Sequence, residues 1–142
     1  MAGFEFLYRL SGGAPTIQTI LAGTAGTALK KGDMVLLDTS SQASLAVSGS
    51  AKFLGLVLAD YSGLTAGTSK IDVITDTDAV FSVTDANARN IGATLDISGA
   101  TGAQTVTTSS NKEFVVAATK DASTAKTLVR WNTGKHLFNT AQ

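Results

Sequence analysis

Short runs of alternating apolar and polar residues, divided by clusters of Gly, Ser, Thr, Asn and Asp, make up most of this sequence. In the first run Phe4, Phe6 and Tyr8 alternate with Glu5 and Arg9, a period of two that places the aromatic side chains on one face of a strand. Val, Ile, Thr and Phe dominate the later runs, as is typical of half-buried strands. Further strands are predicted over 17–21, 34–38, 44–47, 53–59, 71–75, 80–84, 94–97, 104–108, 114–119, 128–132 and 136–138.

The same pattern indicates an all-β fold, because many short strands joined by turn residues are typical of a β-sandwich or a small β-barrel. The one helical turn that the sequence allows is 85–90, with Asp85 as its N-cap. At 142 residues the chain has the usual length of a single domain. We assign 1–28 to an extended N-terminal arm and linker, hinged near Pro15, and 29–142 to a β-domain with a C-terminal tail.

Two segments of the predicted domain, 31–73 and 91–129, follow a similar order of turns and strands. Gly32 precedes Phe53 by 21 positions (53 − 32), and Gly92 precedes Phe114 by 22 positions (114 − 92). If these are two copies of one unit, each would leave an apolar face open, and we expect the two faces to pack together. The alternative is that any small β-domain built from glycine turns and strands shows this much likeness.

Composition and charge narrow the range of functions. The net charge is zero, with 11 basic and 11 acidic residues, which disfavours a nucleic-acid partner because phosphate binding needs a basic excess. Charged residues make up only 15% of the chain, against the usual quarter, which hints at a surface covered within an assembly. Without cysteine there is neither a disulfide nor a thiolate metal site. The longest apolar run, 53–59, is far too short to span a membrane, and the N-terminus lacks the apolar core of a signal peptide.

Candidate catalytic motifs are weak throughout. The segment 23–30 superficially resembles a phosphate-binding loop, but its Gly and Lys spacing does not fit that motif. His136 is the only histidine, and no Gly-x-Ser-x-Gly nucleophile turn accompanies it. We therefore interpret His136 as an exposed or interfacial residue, and the chain as a protein that is not an enzyme and needs no cofactor.

Three aspartates form the sharpest acidic cluster, and one tryptophan marks the last long strand. Asp72, Asp76 and Asp78 could gather around a hard cation such as Ca²⁺, although solvated turn carboxylates are the simpler interpretation, and the sequence leaves the choice open.

Trp131 is expected in the core. Arg130, its neighbour in the strand, should point to the opposite face and could reach a partner.

Several short motifs follow one another in order along 31–35, 54–60, 71–74, 79–81, 91–96, 115–119 and 127–132. This order resembles that of the head decoration (capsid cement) proteins of tailed phages. These small proteins show a Gly-Asp-x-Val strand start, a Gly-Val-Ala-like strand ending in Asp-Ala, a short Val-rich strand, a Val-Phe pair, a second Gly-Asp-x-Val unit and a final Val-Arg-Leu-Asn-like strand. The resemblance covers roughly residues 29–132, and this chain departs from it at Ala93, where the family often has Asp.

This resemblance implies a structural protein on the outer surface of the capsid of a virion, made in the host cytoplasm. Its partners would be the phage major capsid protein and two further copies of itself in a homotrimer, with no nucleic acid and no membrane. We expect the arm (2–20) and the tail (134–142) to make the contacts. The contact residues expected from the sequence are Phe4, Phe6, Tyr8, Arg9, Pro15, Arg130, His136 and Phe138.

Two other classes of function were weighed against this one. A carbohydrate- or receptor-binding β-sandwich on a virion surface would need exposed aromatic platforms, and aromatic residues make up only 6% of the chain. An all-β hydrolase would need a nucleophile, a base or a metal site in a recognisable arrangement, and the sequence offers none. The decoration protein is therefore the function that the sequence favours.

Overall fold

The computed structural model describes residues 3–23, 28–49, 52–108, 110–132 and 134–139. These residues form eleven β-strands and one short 3₁₀ turn, Leu137–Asn139. The strands are β1 (Phe4–Arg9), β2 (Ile17–Leu21), β3 (Met34–Leu37), β4 (Ala43–Leu45), β5 (Phe53–Val57), β6 (Lys70–Ile74), β7 (Ala79–Thr84), β8 (Thr94–Ser98), β9 (Thr105–Thr107), β10 (Phe114–Val116) and β11 (Lys126–Trp131).

The strands form two antiparallel sheets. The first sheet has the order β1-β7-β11-β10-β8-β9, and the second has the order β2-β6-β5-β3-β4. Neither sheet closes into a barrel, so the all-β prediction is confirmed in its β-sandwich form. Two local predictions are wrong. Residues 136–138 do not form a strand, and 85–90 do not form a helical turn, because Arg89 instead pairs in an extended bridge with Lys120.

The N-terminal segment is part of the sandwich. β1 pairs with β7 along its length, and Phe4 is fully buried in the core between the sheets. β2 pairs with β6 at the edge of the second sheet. The first 28 residues, which the sequence assigns to an extended arm and linker, thus contribute one edge strand to each sheet. Residues 1–2 and 24–27, and residues 140–142 of the expected tail, lie outside the described residues.

Two hydrophobic clusters hold the sandwich together. The larger cluster fills the space between the sheets, where Trp131 stacks on Phe114 with ring centroids 4.6 Å apart and on Phe53 at 5.1 Å. The core position expected for Trp131 is confirmed. The smaller cluster lies on the far face of the second sheet, where Leu29 and Leu64 cover it. β5 is therefore buried on both of its faces, which accounts for its continuous apolar sequence.

The two sheets repeat one topology. Without β1, the first sheet reads β7-β11-β10-β8-β9, which matches β2-β6-β5-β3-β4 strand for strand. Loop hydrogen bonds repeat too: Gly32 N–H donates to Val57 at 3.0 Å, and Gly92 N–H donates to Val116 at 3.0 Å. Residues from both units fill the larger core cluster, so the two units do pack together. The expectation that their equivalent faces meet is wrong, because Val57 lies in the smaller cluster and its equivalent Val116 in the larger one.

Candidate interaction surface

The residues that the sequence nominated for contacts fall into three environments. Phe4 and His136 are fully buried, so neither is available to a partner in this structure. Arg9 is held in an ion-pair cluster described below. The remaining residues are partly or largely exposed: Phe6, Tyr8, Pro15, Arg130 and Phe138. That these residues contact a capsid stays a prediction.

His136 is a structural histidine, and its predicted exposure is wrong. Its Nε2–H donates to the Leu54 carbonyl at 2.6 Å, while Nδ1 accepts the Phe138 N–H at 3.1 Å. Burial lowers the pKa of His136, which favours the neutral ring that this pattern requires. Nε2 therefore fixes the C-terminal segment to β5, and Nδ1 holds the turn of that segment itself.

The aspartate cluster splits into separate anchors for the N-terminal segment. Asp76 accepts the Thr16 N–H at 2.7 Å, and Asp78 accepts the Ser11 N–H at 2.9 Å. Arg9 lies between them, 3.3 Å from Asp76 and 3.2 Å from Asp78. Hydrogen bonds from Ser11 and the charge of Arg9 lower the pKa of Asp78 to about 2. The third aspartate, Asp72, accepts the Thr19 hydroxyl at 2.7 Å on β2.

This arrangement does not resemble a cation site. Its carboxylate oxygens already accept hydrogen bonds, and the Arg9 guanidinium occupies the position between two of them. Within the described ranges, no three His, Cys, Asp or Glu side chains are placed to hold a metal ion. The cluster fastens the segment between β1 and β2 to the turn that follows β6.

That fastened segment continues into the most exposed strand of the molecule. From Leu10 to Leu21 no residue carries a charge, and all of them are exposed except Pro15 and Ile20, which are half-buried. Leu10 is 53% exposed and Ile17 is 52% exposed. An exposed strand without charged residues lacks the usual protection of a sheet edge against pairing with another chain.

The backbone N–H and C=O groups of the even-numbered residues of β2 form the hydrogen bonds to β6. The Thr16 carbonyl accepts the Thr75 N–H at 3.1 Å, and the Ala22 N–H donates to Ser69 at 2.8 Å. In an antiparallel ladder, successive residues point their backbone groups to opposite sides. The odd-numbered residues therefore present their N–H and C=O groups to the open edge. These residues are Ile17, Thr19 and Leu21. The open edge ends there, because Ala22 forms a parallel bridge with Ala43 of β4 and the Gly23 N–H donates to the Ala43 carbonyl at 2.7 Å.

The other three sheet edges are better protected. β4 and β9 have only three residues each. β1 carries an irregularity between Phe6 and Tyr8 and a Glu5–Lys126 ion pair of 2.9 Å. Short strands, bulges and charges are the devices that disfavour edge pairing. Among the described strands, β2 is thus the regular edge that has none of them.

An apolar cleft of about 420 Å³ opens beside this edge. Phe6 of β1, Leu58 after β5 and Ile74 of β6 form its walls, with Pro15 at its margin. Ile74 is also the residue of β6 that pairs with Ile17. The exposed side chain of Ile17 and the cleft are therefore adjacent parts of one apolar surface.

A second exposed area lies on the outer face of the first sheet. Tyr8 pairs with Val80 on β7 and is 48% exposed. Val80 points to the outer face, because it alternates along β7 with the inward-facing Phe81. It is nevertheless fully buried. Arg130 alternates with the buried Trp131, so its expected position on the opposite face from Trp131 agrees with the structure.

A buried acidic pair is the feature that the sequence did not indicate. Glu113 and Asp96 are both fully buried. Glu113 Oε1 accepts the Ile97 N–H at 3.1 Å, whereas its Oε2 has no hydrogen-bond partner among the described residues. Asp96 accepts the Lys112 N–H at 2.6 Å. Burial raises the pKa of Glu113, and the nearby Asp96 charge raises it further.

Replacing Glu113 by Gln is expected to stabilise the protein near neutral pH by about 1 kcal/mol, the scale of one uncompensated buried polar group. Because the pKa of Glu113 is higher in the folded chain than its ordinary 4.5, the stability that this residue contributes is greatest below pH 4.5 and is lost as pH rises through the folded pKa. Glu113→Gln should remove this loss. Urea unfolding at pH 4 and pH 8 measures it, and a variant less stable than wild type at pH 8 would contradict the expectation.

Comparison with known proteins identifies no family. No protein-family model and no curated protein matches the chain. In the part of the chain that the structure covers, no helix is long and apolar enough to cross a membrane.

Proposed function

We propose that this chain is a decoration (cement) protein that binds the outside of an assembled phage head and stabilises contacts between major capsid subunits. The observation that carries the proposal is the exposed, uncharged segment from Leu10 to Leu21, which ends in the open edge of β2 beside an apolar cleft. An isolated protein gains nothing from such an edge, whereas a protein that works in an assembly can bury it. The motif order described above supports the same function.

The proposed mechanism is thermodynamic. A protein that binds only the assembled lattice stabilises that lattice by mass action, and many copies multiply a modest gain at each site. The expected unit is a homotrimer, because closed symmetry would match the points where three capsid subunits meet. Buried Phe4 and His136 would serve the fold of the protein, while the exposed segment would make the contacts.

Co-sedimentation tests the proposal. Expanded heads of the phage that encodes the chain, prepared without it, are mixed with increasing amounts of the purified protein and pelleted. We expect saturable binding at a fixed ratio of protein to major capsid subunit, and a higher temperature of head disruption in the decorated sample. Absence of binding to heads, together with binding on a glycan array, would replace the proposal with the carbohydrate-binding alternative.

A further inference from the structure

The internal repeat gives β2 an equivalent strand, β7, and the edge of β7 that corresponds to the open edge of β2 is covered by β1. β2 and β7 occupy the same position in their sheets, each beside the last strand of its unit. β7 has β11 on one side and β1 on the other, whereas Ile17–Leu21 of β2 pair only with β6, and the outer side is closed just beyond them by a single parallel bridge between Ala22 and Ala43 of β4. The strand β1 thus has no equivalent in the second sheet among the described residues.

Hydrogen bonds make the correspondence residue by residue. Ala22 N–H donates to Ser69 at 2.8 Å after β2, and Asp85 N–H donates to Ala125 at 2.9 Å after β7. Counting back two and four positions from these bonds gives the equivalent residues within the two strands. Ile20 corresponds to Val83, and Gln18 corresponds to Phe81.

The equivalent residues differ in burial because of β1. Val83 and Phe81 are fully buried, and the residues opposite them on β1 are Phe4 and Phe6. On β2, by contrast, Ile20 is half-buried and Gln18 is exposed. The second sheet therefore lacks one strand whose side chains would cover these two positions.

We infer that the open edge of β2 is a binding site for an extended segment of another protein, which adds to the second sheet as an antiparallel strand. The identity of that protein rests on the proposed function, which makes it the major capsid protein. β1 shows the chemistry of the occupant: an extended segment with large apolar side chains two positions apart, opposite Ile20 and Gln18. Since β2 carries no charge, backbone hydrogen bonds and apolar contacts provide the binding.

Thr19→Pro tests the site, because Thr19 N–H points to the open edge and proline removes it without removing a backbone hydrogen bond to β6. Thr19→Val is the matched control: it loses the 2.7 Å hydroxyl bond to Asp72 and keeps the N–H. Thermal unfolding confirms that both variants fold. We expect Thr19→Val to bind heads like wild type and Thr19→Pro to bind at least about tenfold more weakly, the effect of about 1.4 kcal/mol.

Equal binding of Thr19→Pro and wild type to heads would overturn the inference and leave the proposed function intact. If wild type does not bind heads, the proposed function fails, and a capped peptide copying residues 3–10 tests the site alone. We then expect the peptide to shift the amide resonances of Thr19 and Leu21 in the labelled full chain. Unchanged resonances there would overturn the inference. A dimer of this chain that Thr19→Pro abolishes would also overturn it, because the strand at the edge of β2 would then come from a second copy.

Discussion

Gly55→Ala is expected to prevent the chain from folding stably. Gly55 lies in β5 at φ 148°, a conformation that residues with a side chain rarely adopt, and a Cβ there would overlap the carbonyl oxygen of Ile74 on β6. That oxygen belongs to the backbone of a buried strand and cannot move away without separating β5 from β6. Backbone strain and overpacking together should cost at least about 4 kcal/mol, a large part of the stability of a domain this size.

Gly63→Ala is the matched control for this experiment. Gly63 also has a positive φ, 63°, but a Cβ there would meet nothing within 4 Å. Its cost should be limited to the left-handed conformation, about 1 to 2 kcal/mol. Urea unfolding followed by circular dichroism compares the two variants. If Gly55→Ala is as stable as Gly63→Ala, the close approach of β5 and β6 described above is incorrect.

Arg89→Leu is expected to destabilise the protein by about 3 to 5 kcal/mol, because it leaves a buried carboxylate without its cation. Arg89 Nε lies 2.7 Å from Asp85 Oδ2, and the two side chains are 8% and 3% exposed. The Thr127 hydroxyl donates to the same oxygen at 2.8 Å. Burial raises the pKa of Asp85, but the bonds from Arg89 and Thr127 outweigh it and lower the pKa to about 2.

The internal repeat supplies a rescue for this variant. The positions equivalent to Asp85, Arg89 and Thr127 in the other unit are apolar and buried. They are Ala22, Leu29 and Ile71. The triple variant Asp85→Ala/Arg89→Leu/Thr127→Ile copies that apolar set, and replacing a whole buried ion pair in this way is often neutral or stabilising. We expect it to recover most of the loss measured at pH 7.

The dependence of stability on acid pH distinguishes wild type from the triple variant. The stability that Asp85 contributes is present above its ordinary pKa of 3.8 and is lost as pH falls toward about 2. Wild type should therefore lose this contribution between those values, and the triple variant, which lacks the carboxylate, should not. Unfolding free energies measured from pH 5 to pH 2 test this. A triple variant no more stable than Arg89→Leu alone would contradict the equivalence of the two clusters.

The strands were predictable because each has a local pattern. Period-two alternation and turn residues located all eleven strands, and ten of them agree with the structure within about two residues at both ends. The exception is β10, which was predicted too long at its C-terminal end. The repeat was also visible, since its glycine turns recur at matched spacing. The order of the strands within each sheet depends on contacts between distant residues, and the sequence pattern does not contain them.

The failures have particular physical causes. His136, a lone histidine beside Lys135 near the C-terminus, looks like a surface residue, and its burial follows from distant contacts with the Leu54 carbonyl and the Trp131 ring. Asp85 precedes residues that could form a helical turn, but Arg89 and Thr127 bind its carboxylate in an extended loop. β2 was located correctly by its apolar residues, yet its exposure follows from the absence of a neighbouring strand, which no local pattern reports.

A density map of the expanded head, determined before and after addition of the purified protein, tests the central claim most directly. The account predicts added density on the outer surface of the shell, with the segment from Leu10 to Leu21 turned toward the capsid and a strand of the major capsid protein beside β2. An unchanged map would contradict the decoration function. Added density that contacts the shell through another face, with β2 open to solvent, would contradict the assignment of the binding edge.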